Sequence, residues 1–161
     1  MGTAQISDGA ELVGLLLKGW EIEKRFECVS LEESDRYATW SQLRQLMPRL
    51  ISDSNEHLSL VESMVARVKT DRRKWDFPQR VSKFPFHLSW DEEMAKEIAR
   101  VERRMMENYS DILVRLEASD SSAYLAPADR EFVLEGLKRL VREEDVHYRL
   151  ATSVLEPPKG H

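Results

Sequence analysis

The sequence is poor in several features whose scarcity narrows the fold and the function. Its 161 residues include one cysteine, Cys28, which excludes an internal disulfide and a Cys-x-x-Cys zinc or rubredoxin-type iron site. There are only 6 glycines and 6 prolines, so breaks in long helices should be few. No apolar run approaches the roughly 20 residues that a membrane-spanning helix needs. These scarcities favour a helical protein without a disulfide framework or a membrane span.

The net charge and the length of the chain further restrict its expected function, location and number of domains. The formal net charge is −5, which disfavours a general role in nucleic-acid binding. The N-terminus has no basic segment followed by an apolar stretch, so we expect no secretory signal and a cytoplasmic location. A chain of this length fits one domain, residues 1–161, with its core at about residues 8–156.

Apolar residues recur at helical spacing in four segments, and no strand pattern competes with them. Polar caps and prolines predict where these segments begin and end. The four predicted helices run from about Asp8 to Glu33, from Ser34-Asp35 to about Lys69, from the capping box Ser89-Trp90-Asp91-Glu92 to about Glu117, and from Pro127 to near Glu156. Pro48 lies within the second helix, where it predicts a kink or a split of the first turns from the rest.

Residues 71–90 lose the helical period and form the longest predicted connection. A hairpin between neighbouring antiparallel helices would not need some 20 residues. An extended chain covers about 3.3 Å per residue, whereas a helix of about 26 residues is only about 39 Å long. We therefore expect a crossover along the outside of an all-α four-helix bundle, with the first and second helices antiparallel and the second and third parallel. Five large aromatic residues should bind this crossover to the bundle: Trp75, Phe77, Phe84, Phe86 and Trp90.

Charged side chains on the apolar helix faces are the strongest indication of function. Glu23, Glu102, Glu144, His57 and His147 all lie on such faces. A carboxylate that faces a helical core is costly unless something charged meets it, and a bound metal is the usual answer. The i, i+3 spacing of Glu144 and His147 puts both side chains on one face.

The second predicted helix departs from this pattern. Ser54 stands three residues before His57, where a second Glu-x-x-His pair would have its glutamate. Asp53 could replace the missing carboxylate, although its side chain is shorter. Ser54-Asn55-Glu56-His57-Leu58 nevertheless aligns with Glu144-Asp145-Val146-His147-Tyr148, and residues 22–26 align with residues 101–105. The first half of the chain is interpreted as a weakened copy of the second half.

Each of these residues also has an ordinary structural interpretation. Glu102 could pair with an arginine in the core, and His57 could be a core histidine bonded to a carboxylate. Glu27 lies only about 40° from Glu23 around the helix, so Glu27 is an alternative to Glu23 as the glutamate that faces the core. Tyr109 is either a hydrogen-bond donor to a ligand or an apolar core residue. His87 and His161 have no partner spacing and are expected at the surface.

Two segments carry a resemblance to a known family. Val101-Glu102-Arg103-Arg104-Met105-Met106-Glu107-Asn108-Tyr109 resembles the ligand glutamate of the ferritin-like superfamily, which is followed seven residues later by a tyrosine. Leu140 to His147 is similar to the Glu-x-x-His helix of the rubrerythrin-type members. The resemblance covers roughly residues 10–155. The chain departs from the family at Ser30 and Ser54, and it lacks the iron–sulfur module of true rubrerythrins.

The resemblance implies a ferritin-like bundle that binds a carboxylate-bridged metal pair. Iron is the expected metal, with manganese or zinc as alternatives. The implied ligands are Glu23, His57, Glu102, Glu144 and His147. Dioxygen or peroxide would be the co-reactant, and the reaction would be oxidation of ferrous iron or reduction of peroxide. Ser54 implies that the site is asymmetric or mononuclear, and exposed bundle faces favour a homodimer over a ferritin shell.

Two other functions stay open at this point. The first is a metal-free helical scaffold or adaptor whose ancestral site has decayed, as Ser30 and Ser54 in the first half suggest. The second is a regulatory protein that binds a partner through residues 71–90. The basic residues of that segment also resemble a nucleic-acid surface, but aromatic packing at the bundle edge explains the segment more simply.

Overall fold

A computed structural model describes residues 2–27, 40–71, 76–78 and 91–156 of the chain. Within these ranges the regular structure is entirely helical, which confirms the predicted all-α class. The four helices are α1 (Gly9–Glu27), α2 (Ser41–Arg67), α3 (Asp91–Glu117) and α4 (Pro127–Leu155). None of these helices combines the length and the apolar character needed to cross a membrane.

The start of α1 is stabilised by reciprocal hydrogen bonds of the kind that its sequence predicts. The backbone N–H of Glu11 donates to Oδ1 of Asp8 over 2.8 Å. In return the Glu11 carboxylate accepts from the backbone N–H of Ser7, also over 2.8 Å. The first bond satisfies a backbone donor that the first turn of a helix leaves without a partner, and the second holds Ser7 against that turn.

Helix α2 begins at Ser41, later than predicted, and the predicted start at Ser34-Asp35 lies outside the described residues. Trp40 has extended backbone angles, φ −67° and ψ 130°. Its N–H donates to Oδ1 of Asp91, the first residue of α3, so this donor contacts another helix rather than continuing α2. The predicted end of the first helix at Glu33, Cys28 and Ser30 lie outside the described residues.

Helix α2 runs unbroken through Pro48, so the predicted split of its first turns is not found. Proline removes one backbone hydrogen bond from a helix interior. Burial of the leucine face on both sides of this residue outweighs the loss. Leu43, Leu46 and Leu50 are all buried in the core, and each fully buried leucine contributes about 1.5–3 kcal/mol.

Side-chain pairs show that α1 and α2 are antiparallel. Nε1–H of Trp20 donates to Oε1 of Glu62 over 3.0 Å. Glu23, three residues after Trp20 on α1, contacts His57. His57 lies five residues before Glu62 on α2. The residue numbers on the two helices therefore run in opposite directions.

The remaining pairs establish the topology of the bundle. Arg67 pairs with Asp129 over 2.9 Å, and Asp53 pairs with His147 over 2.8 Å, so α2 and α4 are antiparallel. Helices α3 and α4 are neighbours joined by the short connection 118–126, and they are also antiparallel. It follows that α2 and α3 are parallel, which confirms the predicted bundle with one long connection between its second and third helices.

Only one aromatic residue of that connection is described. Phe77 is half-buried and packs on Trp20 of α1, with ring centroids 5.1 Å apart. This contact fits a crossover held against the bundle by aromatic side chains. The predicted positions of Trp75, Phe84, Phe86, Trp90, the capping residue Ser89, His87 and His161 lie outside the described residues.

The core forms along the predicted inward faces of all four helices. Near the end of α3, Ile112 is fully buried, whereas its neighbour Leu113 is only half-buried. Large buried side chains of this core include Leu12, Leu16, Phe26, Leu50, Met64, Met94, Ile98, Met105, Tyr109, Val133, Leu137 and Leu140. This apolar core surrounds a group of buried charged residues at mid-bundle.

Candidate metal centre

Each of the five predicted ligands is buried. Their exposed fractions lie between 0% and 2%, so none of them is a solvated charge on a helix face. One comes from α1, one from α2, one from α3 and two from α4. They are Glu23, His57, Glu102, Glu144 and His147. The four helices therefore bring together every residue of the predicted site.

The first half of the site lies between α1, α2 and α4. Nδ1 of His57 is 3.0 Å from Oε1 of Glu23 and 2.9 Å from Oε1 of Glu144. These three residues offer ligand atoms that lie within 4.8 Å of one another, which is close enough for one metal ion.

The second half lies between α3 and α4. Nδ1 of His147 is 3.4 Å from Oε2 of Glu102 and 3.5 Å from Oε2 of Glu144. These three residues also offer ligand atoms within 4.8 Å of one another. The predicted alternative of an arginine partner for Glu102 is not found among the described side chains, since this carboxylate faces His147.

Glu144 belongs to both halves of the site. Its Oε1 lies near His57, and its Oε2 lies near His147. The two imidazole rings are 5.7 Å apart between centroids. A carboxylate that presents one oxygen to each of two neighbouring histidines has the placement that a carboxylate shared by two metal ions requires.

The hydrogen bonding of the buried carboxylate oxygens indicates whether these residues could bind a metal ion. Within the described part of the chain, Oε2 of Glu23, Oε2 of Glu102 and both oxygens of Glu144 find no hydrogen-bond donor of good geometry. An ionised carboxylate buried in this way is costly unless a proton or a cation meets it. Carboxylate oxygen and imidazole nitrogen together suit iron, manganese and zinc. The donor set therefore fits a metal.

In the metal-free protein, bound protons reduce the negative charge of the three buried carboxyl groups. Burial, together with the negative charge of Glu144, raises the pKa of Glu23 to about 8. Burial also raises the pKa of Glu102 well above its usual value, and the neighbouring Glu144 carboxylate adds to this effect. Burial disfavours the Glu144 carboxylate, but the close approach of Glu102 and of the two histidines outweighs it and holds the Glu144 pKa far below normal. Glu144 is thus the ionised carboxylate.

Both histidines are charged in the same metal-free state. Burial opposes the imidazolium of His57, but the neighbouring carboxyl groups of Glu144 and Glu23 outweigh it and raise the pKa of His57 to about 11. In the same way Glu102 and Glu144 raise the pKa of His147 to about 10 against the effect of burial. Metal binding at neutral pH must therefore displace protons from these rings.

A second carboxylate orients each histidine from its outer edge. Nε2 of His57 lies 2.7 Å from Oε2 of Glu143, and Nε2 of His147 lies 2.8 Å from Oδ2 of Asp53. A hydrogen bond at the second ring nitrogen sets the tautomer and the ring orientation of a ligating histidine. Both Nδ1 atoms are thereby directed toward the interior carboxylates.

Asp53, considered above as a replacement for the missing glutamate, lies outside both interior groups of ligand candidates. Asp53 lies on the edge of α2 that faces α4, and its carboxylate holds the outer nitrogen of His147 rather than joining either interior group. Ser54 is 2% exposed, so it occupies the buried position where the paired glutamate was expected. The first half of the site therefore has no glutamate of its own from α2.

Glu143 is the site residue that sequence reasoning missed. It stands four residues before His147, just as Asp53 stands four residues before His57. Because α2 and α4 are antiparallel, each acid crosses to the histidine of the other helix. An acidic residue four positions before each histidine is the signal that could have found it.

Tyr109 is buried and lies beside the first half of the site. Its hydroxyl donates to Oε1 of Glu23 over 3.4 Å. Gly19 makes room for the ring, because a Cβ atom at this position would lie 2.6 Å from the Tyr109 hydroxyl oxygen. The expectation that Tyr109 donates a hydrogen bond to a ligand candidate is therefore confirmed.

Comparison with protein-family models, with curated proteins and with solved structures found no match to this chain. The argument for function consequently rests on the geometry and the chemistry of the buried centre.

Proposed function

We propose that this protein binds a pair of metal ions, with iron as the expected metal, between the four helices. The ligands would be Glu23 and His57 in the first half, Glu102 and His147 in the second, and Glu144 in both. One observation carries the proposal: the two oxygens of Glu144 lie beside different histidines, with a further carboxylate next to each ring.

An iron pair in this centre would supply redox chemistry, so ferrous iron oxidation or peroxide reduction is the reaction class. The residues of the chain hold and shield the reacting centre. The buried carboxylates neutralise positive charge, and Asp53 and Glu143 orient the two histidines through Nε2. Tyr109 holds Glu23 by a hydrogen bond, while the surrounding apolar core excludes water.

We also propose membership of the ferritin-like superfamily on structural grounds. One carboxylate from each of α1 and α3, with a histidine from each of α2 and α4, follows the order of ligands in such bundles. The parallel arrangement of α2 and α3 supports the same assignment. Ser54 departs from the pattern, so we expect the first half to bind its metal more weakly than the second.

A metal-free scaffold is the second candidate, and the ion pairs around the histidines favour it. His57 contacts three carboxylates, and His147 contacts three as well, counting Glu144 in both sets. With the protonation states given above, this network can hold its own charges without a cation. The buried Ser54 would then mark the loss of a ligand.

Anaerobic titration with ferrous iron, followed by absorbance and Mössbauer spectroscopy, separates the two candidates. The metal-centre proposal predicts saturable binding of up to about two irons per chain, and Glu144→Gln should weaken it. Glu135→Gln provides a matched control, because Glu135 lies on the same helix and its carboxylate pairs with Lys138 at the surface. A folded sample that binds no iron above background would establish the scaffold instead. Elemental analysis of protein purified without chelators gives an independent check.

A further inference from the structure

The contacts around the two histidines follow an approximate two-fold symmetry, which exchanges α2 with α4 and α1 with α3. Nδ1 of His57 lies 3.0 Å from Oε1 of Glu23. Nδ1 of His147 likewise lies 3.4 Å from Oε2 of Glu102. At the outer edges, Nε2 of each histidine meets an acid of the opposite helix, over 2.7 Å and 2.8 Å. The two halves of the centre therefore repeat the same set of contacts.

One buried position breaks this symmetry. Glu144 stands three residues before His147 on α4, and Ser54 stands three residues before His57 on α2. Glu144 presents one oxygen to each histidine. Ser54 also faces inward, with an exposed fraction of 2%, but its side chain ends in a hydroxyl. The centre therefore has one shared carboxylate where its symmetry provides for two.

Ser54 also differs from the other buried serines of the described chain in its hydrogen bonding. The Ser119 hydroxyl donates to the backbone carbonyl of Arg115, and the Ser121 hydroxyl accepts from the Arg130 guanidinium, both over 2.6 Å. Within the described residues, the Ser54 hydroxyl has no hydrogen-bond partner. A buried hydroxyl left in this way is costly, so a ligand that accepts its hydrogen bond would remove that cost.

The charges of the proposed ligand set leave one positive charge without a partner. A metal-bound histidine is neutral, and a metal-bound carboxylate is ionised. Glu23, Glu102 and Glu144 therefore supply three negative charges, whereas a pair of divalent cations carries four positive charges. An uncompensated charge is costly in a buried centre. A carboxylate at position 54 would have balanced this charge, and a monovalent anion can do the same.

The acids at the outer edge do not change this balance. Glu143 forms an ion pair with Arg139 over 2.8 Å, and Asp53 forms one with Arg49 over 3.5 Å. Each of these pairs is neutral as a whole, so it gives its histidine a hydrogen-bond partner without adding net charge. The remaining positive charge thus belongs to the interior of the centre.

We propose that the metal-loaded centre binds one small monovalent anion beside Ser54, at the position that mirrors the Glu144 carboxylate. The hydroxyl of Ser54 donates a hydrogen bond to this anion. Beyond Cβ, glutamate carries a methylene group and a carboxylate, whereas serine carries only a hydroxyl. The group that Ser54 lacks is therefore similar in size to formate or azide. The inference rests on the proposed metal centre and adds the class of ligand that this centre accepts.

Azide titration of the Co²⁺-loaded protein tests the anion site, because the visible absorption of Co²⁺ depends on its ligands. We expect saturable binding of one azide per chain, with formate as a competitor. Ser54→Ala should weaken azide binding about tenfold, because a hydrogen bond to a charged group is lost. Ser52→Ala is the matched control, since Ser52 is exposed on the same helix, and it should bind azide as the natural chain does.

A second variant should remove the anion altogether. Ser54→Glu supplies its own carboxylate at this position, so it should bind Co²⁺ but no azide, whereas Ser52→Glu should bind both. Equilibrium dialysis gives the Co²⁺ stoichiometry of every variant. Normal Co²⁺ binding with an azide affinity that neither Ser54 variant lowers would overturn the anion site and leave the metal centre standing. No Co²⁺ or Fe²⁺ binding by the unaltered protein would overturn both proposals.

Discussion

Nε2 of His147 on α4 lies 2.8 Å from Oδ2 of Asp53 on α2. The same relationship occurs in reverse between His57 on α2 and Glu143 on α4, over 2.7 Å. Each helix thus supplies a histidine to the centre and a carboxylate that orients the other helix's histidine. Two antiparallel helices are coupled by this exchange, and the inward direction of both Nδ1 atoms depends on it.

Loss of one outer carboxylate should weaken metal binding without removing a ligand. We expect Asp53→Asn to lower the metal affinity about 10–100-fold, because His147 would lose the charged partner that orients its ring. Asp145→Asn is the matched control, since Asp145 is also partly exposed and pairs with an arginine four residues later. Competition with a chelator of known affinity measures the change. Equal affinities of the two variants would argue against the orienting role.

Substitutions of the interior ligands should differ in how many metal ions they remove. Glu144 contributes to both halves of the site, so Glu144→Gln should weaken both. Glu102→Ala and His147→Ala should each remove metal from the second half only, while the helix content measured by circular dichroism survives. Elemental analysis gives the stoichiometry. Loss of folding by both alanine variants would indicate that these residues are structural, because a core role predicts a stability loss of a few kcal/mol.

Ser54→Glu should strengthen the first half of the site. A glutamate at this buried position would complete a Glu-x-x-His pair with His57 and raise the metal affinity or the stoichiometry. The metal-free protein should become less stable by about 1–3 kcal/mol, because another buried carboxyl needs a partner. Thermal unfolding with and without metal measures both effects. Ser52→Glu, on the exposed face of α2, is the control. Unchanged binding by Ser54→Glu would mean that this face does not reach the centre.

Gly19→Ala should destabilise the protein although alanine is the better helix former. The new methyl group would overlap the ring of Tyr109, and overpacking of this kind costs about 1–3 kcal/mol. Gly14→Ala, with nothing within 4 Å of its Cβ position, should instead stabilise α1 by about 0.5–1 kcal/mol. Urea unfolding compares the two. A stabilising Gly19→Ala would contradict the close approach of Tyr109.

Metal binding should release protons and weaken as the pH falls. In the metal-free protein the pKa of His57 is raised to about 11, that of His147 to about 10 and that of Glu23 to about 8. These groups are therefore protonated at neutral pH, and a metal must displace their protons before it can bind. Calorimetry in buffers of different ionisation enthalpy counts the protons released. Affinity that does not change between about pH 6 and pH 8 would place the bound metal elsewhere.

Much of the fold followed from the spacing of apolar residues. The 3.6-residue period is a local property of the chain, so it marked all four helices and the inward positions of Glu23, His57 and Glu102. The length of the connection between α2 and α3 was enough to predict their parallel direction. The start of α2 was missed because the backbone N–H of Trp40 bonds to Asp91, which lies 51 residues further along the chain.

By itself, the sequence determined which side chains face the interior, because helical periodicity assigns each residue to a face. Only the tertiary structure decided which of those side chains meet. The sharing of Glu144 by two histidines depends on the distance between α2 and α4. The crossing of Asp53 to His147 and of Glu143 to His57 depends on the antiparallel register of α2 and α4. No local pattern contains that register, because the packing of the whole core sets it.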